Sequence, residues 1–447
     1  MFGNFNRRNF LIGASAALAA PTLAACGGSD DPASGSGGNG GSSGSGVELT
    51  YMFRGGEDER KAYDQAIKAF EDETGAKVKV IVTDADSYRT KLQAAITGNQ
   101  TPDVFYLEQG AVMAFAKNGV VKDITADIET AGIEVDKVWK YGVDSYRFDG
   151  SKVGEGALYG LPKDIGPFSF GYNKTMFEKA GIALPDKDTP YTWAEFRDVA
   201  KQLTTGEQWG TGLNVTWNLQ AWVWSNGGDW ADADRRKVAV DTPEFAEAFQ
   251  DFADIQLVDK STPSVEQAQT MDTYQRWMRG QIGFFPVGPW DVSTYAKLPF
   301  DWDLIPYPVG STGKTATWVG SLGIAVSSKT KNSELAAQLA MFLSANEETQ
   351  RQLYKAGVQI PNLVDMAHGE YAESEGMPEN KIEFVQIAEE YGRALPAATT
   401  WSGEWYDEFW VGIQPVLDGK ISAADYCKDV QPRMQQKLDA ANQAAGI

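Results

Sequence analysis

Apolar positions in the first part of the chain switch between two periods. Residues 47–53 are a run of β-formers, and residues 57–74 place Tyr63, Ile67 and Phe70 on one helical face with Gly75 as a stop, so the pattern predicts a strand followed by a helix. Residues 78–82 read as a β-branched strand, 87–97 as a helix with Leu92 and Ile96 turned inward, and 103–107 as a third strand. This alternation predicts an α/β fold around a mainly parallel sheet. Thr192-Trp193-Ala194-Glu195 has the spacing of a capping box opening a helix with Phe196, Val199 and Leu203 on its apolar face, and Ser344-Ala345-Asn346-Glu347 repeats that spacing. Residues 322–326 predict a buried strand and 334–343 the helix after it, a further βα unit late in the chain. No repeat of solenoid period is visible.

The 447 residues suggest two or three lobes with room for a large core. Lys and Arg total 40 against 61 Asp and Glu, a net charge of -21, which repels nucleic acid and argues against anionic membranes held through a basic patch. The single histidine, His368, and the two cysteines give little material for a proton relay, a His-rich metal centre or a thiolate zinc site, so no metal and no cofactor are expected. Gly310-Ser311-Thr312-Gly313-Lys314-Thr315 imitates the end of a phosphate-binding loop. The place of that motif's first glycine holds Pro308, however, and β-formers follow where a helix is needed, so a loop or hairpin is expected. Glu404, Asp407 and Glu408 could supply the carboxylates of glycoside hydrolysis, but among 61 acidic residues such a cluster arises by chance. No catalytic residue is assigned.

Residues 1–25 contain no acidic residue, carry Arg7 and Arg8 early, run through an apolar stretch and end in small residues, the layout of a secretory signal. Leu23-Ala24-Ala25-Cys26 resembles a lipobox, in which Cys26 is acylated with fatty chains such as palmitate, and Asn6-Arg7-Arg8-Asn9-Phe10-Leu11 resembles a twin-arginine export signal. Residues 26–46 read as a flexible tether rich in Gly and Ser. No later stretch is apolar enough to cross a bilayer. The expectation is an exported protein anchored by lipid to the outer face of the cell membrane. Cys427 would then have no disulfide partner and is expected as a small core residue on the last helices.

The chain has 14 Trp and 17 Tyr, generous for an acidic protein. Trp217, Trp222 and Trp224 are interleaved with amides and glycines, Trp290 lies in Gly288-Pro289-Trp290-Asp291, Trp318 stands beside Val319-Gly320-Ser321, and Trp401 and Trp405 flank Ser402-Gly403-Glu404. Loops of this kind carry binding aromatics. A sugar offers an apolar C–H face to an aromatic plate and a rim of hydroxyls to Asp, Glu, Asn, Gln and Arg. The alternative for each Trp is a place in the core, and Trp217, Trp290 and Trp405 are the ones expected outside it.

Four further stretches carry a resemblance. They are Thr101-Pro102-Asp103-Val104-Phe105 with Ala116-Lys117-Asn118-Gly119-Val120; Leu158-Tyr159-Gly160-Leu161-Pro162 with the segment Gly171 to Gly181; Arg279-Gly280-Gln281-Ile282-Gly283 through Gly288-Pro289-Trp290; and Ile324 to Ala336. In this order they resemble the family 1 extracellular solute-binding proteins of bacterial ABC importers, the group that includes maltodextrin-binding proteins, over nearly all of residues 47–447. The resemblance implies an α/β periplasmic-binding-protein fold of two interleaved lobes with a hinge and a central ligand cleft, without catalysis. Residues 47–162 would form the first part of lobe 1, 163–319 the first part of lobe 2, 320–366 the return to lobe 1, and 367–447 the C-terminal helices of lobe 2. It places Arg54, Tyr106, Glu108 and Gln109 at strand ends facing the cleft, where open α/β sheets bind ligands. It makes Asp164 a polar contact at the crossing, Trp217 and Trp290 stacking plates, and Gly320 and Ser321 hydrogen-bonding groups at the second crossing. Trp401, Glu404 and Trp405 would belong to the closing rim, with either Trp401 or Trp405 facing the cleft. The implied ligand is a carbohydrate, an oligosaccharide first of all, and the implied partners are ABC permease subunits of a monomeric receptor. A polyol, peptide or polyamine as solute, or an exported glycan hydrolase, are the alternatives.

Overall fold

The structure, a computed structural model, describes residues 46–446. The expected leader, Cys26 and nearly all of the tether lie outside the described residues. The expected alternation opens the fold as β1 (Glu48–Arg54), α1 (Glu57–Thr74), β2 (Lys77–Thr83), α2 (Ala85–Thr97) and β3 (Val104–Glu108), with a short α3 (Val112–Lys117) after it. Helix α1 buries Ala62, Tyr63, Ala66, Ile67 and Phe70 and ends at Gly75, whose φ of 74° suits a residue without a side chain. Asp84 caps α2 by accepting a hydrogen bond from the Ser87 amide.

Strand β1 pairs in parallel with both β2 and β3. Next come β4 (Leu161–Pro167) and β5 (Ser169–Asn173), separated by Phe168 alone, then α4 (Trp193–Leu203), β6 (Trp209–Thr211), α5 (Val215–Ser225), α6 (Pro243–Leu257), β7 (Ile282–Val287) and β8 (Trp302–Ile305). The chain closes with β9 (Thr317–Val326), α7 (Ser333–Ala345), β10 (Gly392–Arg393), α8 (Glu404–Val411) and α9 (Ala423–Ala445). One sheet has the order β10-β9-β3-β1-β2, with β4 paired to β9, and a second has the order β8-β5-β7-β6. The expected parallel pairing holds for β1 to β3. Strand β9, late in the chain, runs antiparallel to both β3 and β4, and the second sheet is antiparallel apart from β6 with β7.

One apolar core gathers β1 to β3, α1, the inner end of β9 and α7. A second gathers β5, α4 to α6 and the C-terminal α8 and α9. These cores define two lobes. The chain passes between them through β4 and β9, which pair with each other, and a third cluster of apolar side chains, from Trp139 to Ile387, packs beside that crossing.

The capping box of Thr192 and Glu195 is present. Its expected copy at Ser344 is not: Ser344 sits in the last turn of α7 and donates to the Pro162 carbonyl at 2.7 Å, while Asn346, an equally good cap, accepts from the Thr349 amide at 3.0 Å. Residues 310–314 form a loop tied to Ser225, as expected. Cys427 is a free thiol buried on α9, without a disulfide partner among the described residues, and burial pushes it up to about 12. Among the described residues no helix is long and apolar enough to cross a membrane.

Candidate functional site

The site grows from the two crossing strands. Gly166 of β4 faces Gly320 of β9 across the pair, and neither carries a side chain between the strands and the space beside them. That space holds rings. Trp318 stands two positions before Gly320, on the same face of β9, and its indole folds so closely over Gly320 that a Cβ there would lie 2.4 Å from it. Phe168 stacks on Trp318 with centroids 5.1 Å apart and planes at 28°. Trp217 packs against both, its ring centroid 5.3 Å from that of Trp318 with planes at 22° and 4.8 Å from that of Phe168 with planes at 39°. It is held there by the first turn of α5, which opens at Asn214 in a left-handed conformation that asparagine tolerates. Trp290, in the short turn after β7, lies on Phe168 at 5.8 Å and 13° and over Gly288, where a Cβ would meet the ring at 2.3 Å. Within this cluster Phe168 and Trp318 are buried, Trp217 is half-buried, and Trp290 is 39% exposed.

The ends of β1 and β3 and the crossing strands carry polar groups. Arg54 ends β1 and Glu108 ends β3, with the Arg54 Nη2 3.9 Å from Glu108. Arg89 of α2 donates to the same carboxylate, its Nε at 3.1 Å. Gln109 donates to the Tyr141 hydroxyl at 2.9 Å and to Ser145 Oγ at 2.7 Å, while its Oε1 accepts from the Ser321 amide at 3.2 Å. Ser321 Oγ donates to the Asp164 carbonyl at 2.6 Å and accepts from the Tyr146 hydroxyl at 3.0 Å. Asp164 accepts from the Leu322 amide at 3.0 Å and pairs with Lys163 at 3.0 Å. The Lys163 ammonium, 3% exposed, also meets Glu59 at 2.8 Å. Burial works against its charge, but the carboxylates of Asp164 and Glu59 more than offset that and hold its pKa above the usual lysine value.

Two expected contacts are corrected. Tyr106 is fully buried among Tyr51, Phe53, Tyr63 and Tyr88, because its position on β3 points into the first core; it donates to Glu59 at 3.1 Å and so supports the Lys163 cluster from below. Trp405 is also fully buried, its Nε1 donating to Thr400 at 3.0 Å, because α8 turns that face onto the second core. Trp401 is half-buried and lies edge-on to Phe148 of the first lobe, with Lys117 Nζ 4.9 Å above its ring. Glu404 is exposed at the start of α8. Gly320 serves chiefly as the floor beneath Trp318.

Sequence reasoning did not place Phe168, Lys163, Glu59 or Arg89 in the site, and read Trp318 as a loop residue. The period-two spacing of Trp318 and Gly320 on one strand was the available signal. Of the three carboxylates considered for hydrolysis, Glu408 is taken up by Arg433 at 2.9 Å and Lys437 at 2.6 Å, whose charges hold it below the usual range. Among the described residues no group of His, Cys, Asp and Glu could hold a metal ion.

Comparison with known proteins gives a consistent set. A family profile described as bacterial extracellular solute-binding protein matches residues 55–350. The diacetylchitobiose binding protein DasA of Streptomyces coelicolor is 25% identical over 433 residues, covering 93% of this chain and 95% of that one. The galactooligosaccharide-binding protein of Bacillus subtilis is 23% identical, covering 80% and 81%. An ABC substrate-binding protein of Listeria monocytogenes, solved in complex with cycloalternan, superposes with a TM-score of 0.77 at 25% identity, covering 88% of this chain and 99% of that one.

Proposed function

The chain belongs to the bacterial extracellular solute-binding proteins, binding proteins and not enzymes, and from that premise we propose that it captures an oligosaccharide and delivers it to an ABC importer. In this reading the chain is exported, held at the membrane by a lipid on Cys26, and works as a monomer. The observation that carries it is the exposed ring of Trp290 and the half-buried Trp217, backed by the buried Phe168 and Trp318, together with a set of hydrogen-bonding groups at the ends of β1 and β3. Rings this broad suit the C–H faces of successive sugar residues, and the amide, hydroxyl and carboxylate groups suit their hydroxyls. The ligands named for DasA, the Bacillus subtilis relative and the Listeria protein are saccharides of two or more residues, which supports the same class.

The ring cluster and the polar groups at the ends of β1 and β3 come from different lobes. A sugar that touches both prefers the state in which the lobes meet, and that preference is what a transporter can read. The test is titration of the purified chain, followed by tryptophan fluorescence, with mono- and oligosaccharides, polyols, peptides and polyamines. Saturable binding of an unaltered oligosaccharide is the expected result. Binding of a polyamine or peptide alone, or consumption of the sugar, would overturn the reading.

A further inference from the structure

Outside the cleft, the flanks of the two lobes carry charges of opposite sign that face one another. On one flank Asp58, in the first turn of α1, lies 3.4 Å from Lys297 of the second lobe. Beside it the Ser293 amide donates to the Gly357 carbonyl at 3.0 Å, so the backbones are in contact there. On the other flank Lys117, at the end of α3, donates to the Ala445 carbonyl at the C-terminal end of α9 at 2.7 Å, a helix end that favours a cation. Gly110 approaches the Ala397 carbonyl on this flank, a Cβ there lying 3.8 Å away.

We propose that these pairs, Asp58 with Lys297 and Lys117 with the end of α9, form a clasp that sets the affinity for sugar without touching it. The inference rests on the reading of the chain as a two-lobed sugar receptor. Each pair exists only when the lobes meet, so each raises the population of the binding-competent state and lowers the apparent dissociation constant by the same factor. Exposed pairs are individually weak, and each is expected to change affinity by about two- to fivefold. A distinctive consequence is that binding of an uncharged sugar depends on salt, because the screened charges belong to the protein and not to the ligand.

The experiment titrates the purified chain with diacetylchitobiose, a galactooligosaccharide mixture and maltotriose at low and high sodium chloride, and measures the radius of gyration of the sugar-free chain by small-angle scattering at the same salts. The variants are Asp58→Asn, Lys297→Met and the exchange Asp58→Lys with Lys297→Asp; all are at the surface, and thermal unfolding checks that they fold. Salt should weaken binding several-fold and expand the sugar-free chain; each single variant should weaken binding and flatten the salt dependence, and the exchange should restore both. Binding that ignores salt and all three variants, or an exchange that does not restore it, overturns the clasp. If none of the three sugars binds, the assigned ligand fails, and scattering still decides whether the clasp holds the lobes together.

Discussion

The indole of Trp290 lies nearly parallel to the ring of Phe168, 13° between planes and 5.8 Å between centroids. Trp290 comes from the end of the second-lobe strand β7, and Phe168 from the single residue between the crossing strand β4 and β5. The stack therefore ties the one well-exposed tryptophan of the site to the strands on which the lobes turn, and Trp290 itself is left partly exposed.

Replacing Trp290 by Ala should weaken oligosaccharide binding by about 2–3 kcal/mol, the loss expected for a central aromatic anchor. Because the side chain is 39% exposed, thermal unfolding should move little. Trp405→Ala is the contrasting change: it empties a fully buried site and removes the bond to Thr400, so it should cost about 3–5 kcal/mol of stability. Calorimetric titration and urea unfolding of both variants separate the two roles, and equal effects on both quantities in both variants would contradict the assignment.

Gly320→Ala should disturb the ring cluster with the strand left in place. Its Cβ would stand 2.4 Å from the Trp318 ring, so the indole must swing away from Phe168 and Trp217. The near-ultraviolet circular dichroism of the stacked rings should change, and sugar affinity should fall, at a stability cost of about 1–3 kcal/mol. A variant with unchanged dichroism and affinity would show that the close approach is not needed.

How much of this was legible in the sequence differs by element. The first β/α alternation was readable because α1 repeats its apolar residues on one face and stops at Gly75, and because β2 is β-branched throughout its centre. The antiparallel second sheet was not, since β5 and β7 are buried along their whole lengths and show no alternation from which pairing could be read. Trp290 was singled out for its loop-like setting and lies exposed in a short turn, whereas Trp217, singled out for the amides and glycines around it, lies half-buried in the first turn of α5. Tyr106 and Trp405 were misjudged because a strand end and a helix start each present one face outward and one inward, and local sequence does not say which side a single ring takes.

Lys163→Met should be strongly destabilising, by about 3–5 kcal/mol, because Glu59 and Asp164 would be left facing one another without their cation. The folded pKa of Lys163 is raised, so its contribution is fully present below the usual lysine pKa and is lost only as pH rises through the raised value. The loss in the variant should therefore be uniform across neutral pH in urea titrations. A mild loss, or one confined to alkaline pH, would contradict the triad's role.

Glu383 predicts a slope of the opposite origin. Its carboxyl is buried, accepts from the Tyr391 hydroxyl on one oxygen and has no partner on the other, and burial raises it from 4.5 to about 8. The folded chain thus holds a proton that the unfolded chain releases, and stability should fall as pH rises between about 4.5 and 8, by up to about 1.4 kcal/mol per pH unit. Glu383→Gln should remove that part of the slope and be the more stable protein at pH 8. An identical slope in the variant would place the proton elsewhere.

The central claim is that the ring cluster binds sugar, and calorimetric titration of the wild-type chain and Trp290→Ala with the saccharide panel tests it most directly. The account predicts saturable binding of an unaltered oligosaccharide by the wild-type chain, weakened at least tenfold in a variant that is still folded. Equal affinity in the two proteins, or no binding of any saccharide by the wild-type chain, would contradict it.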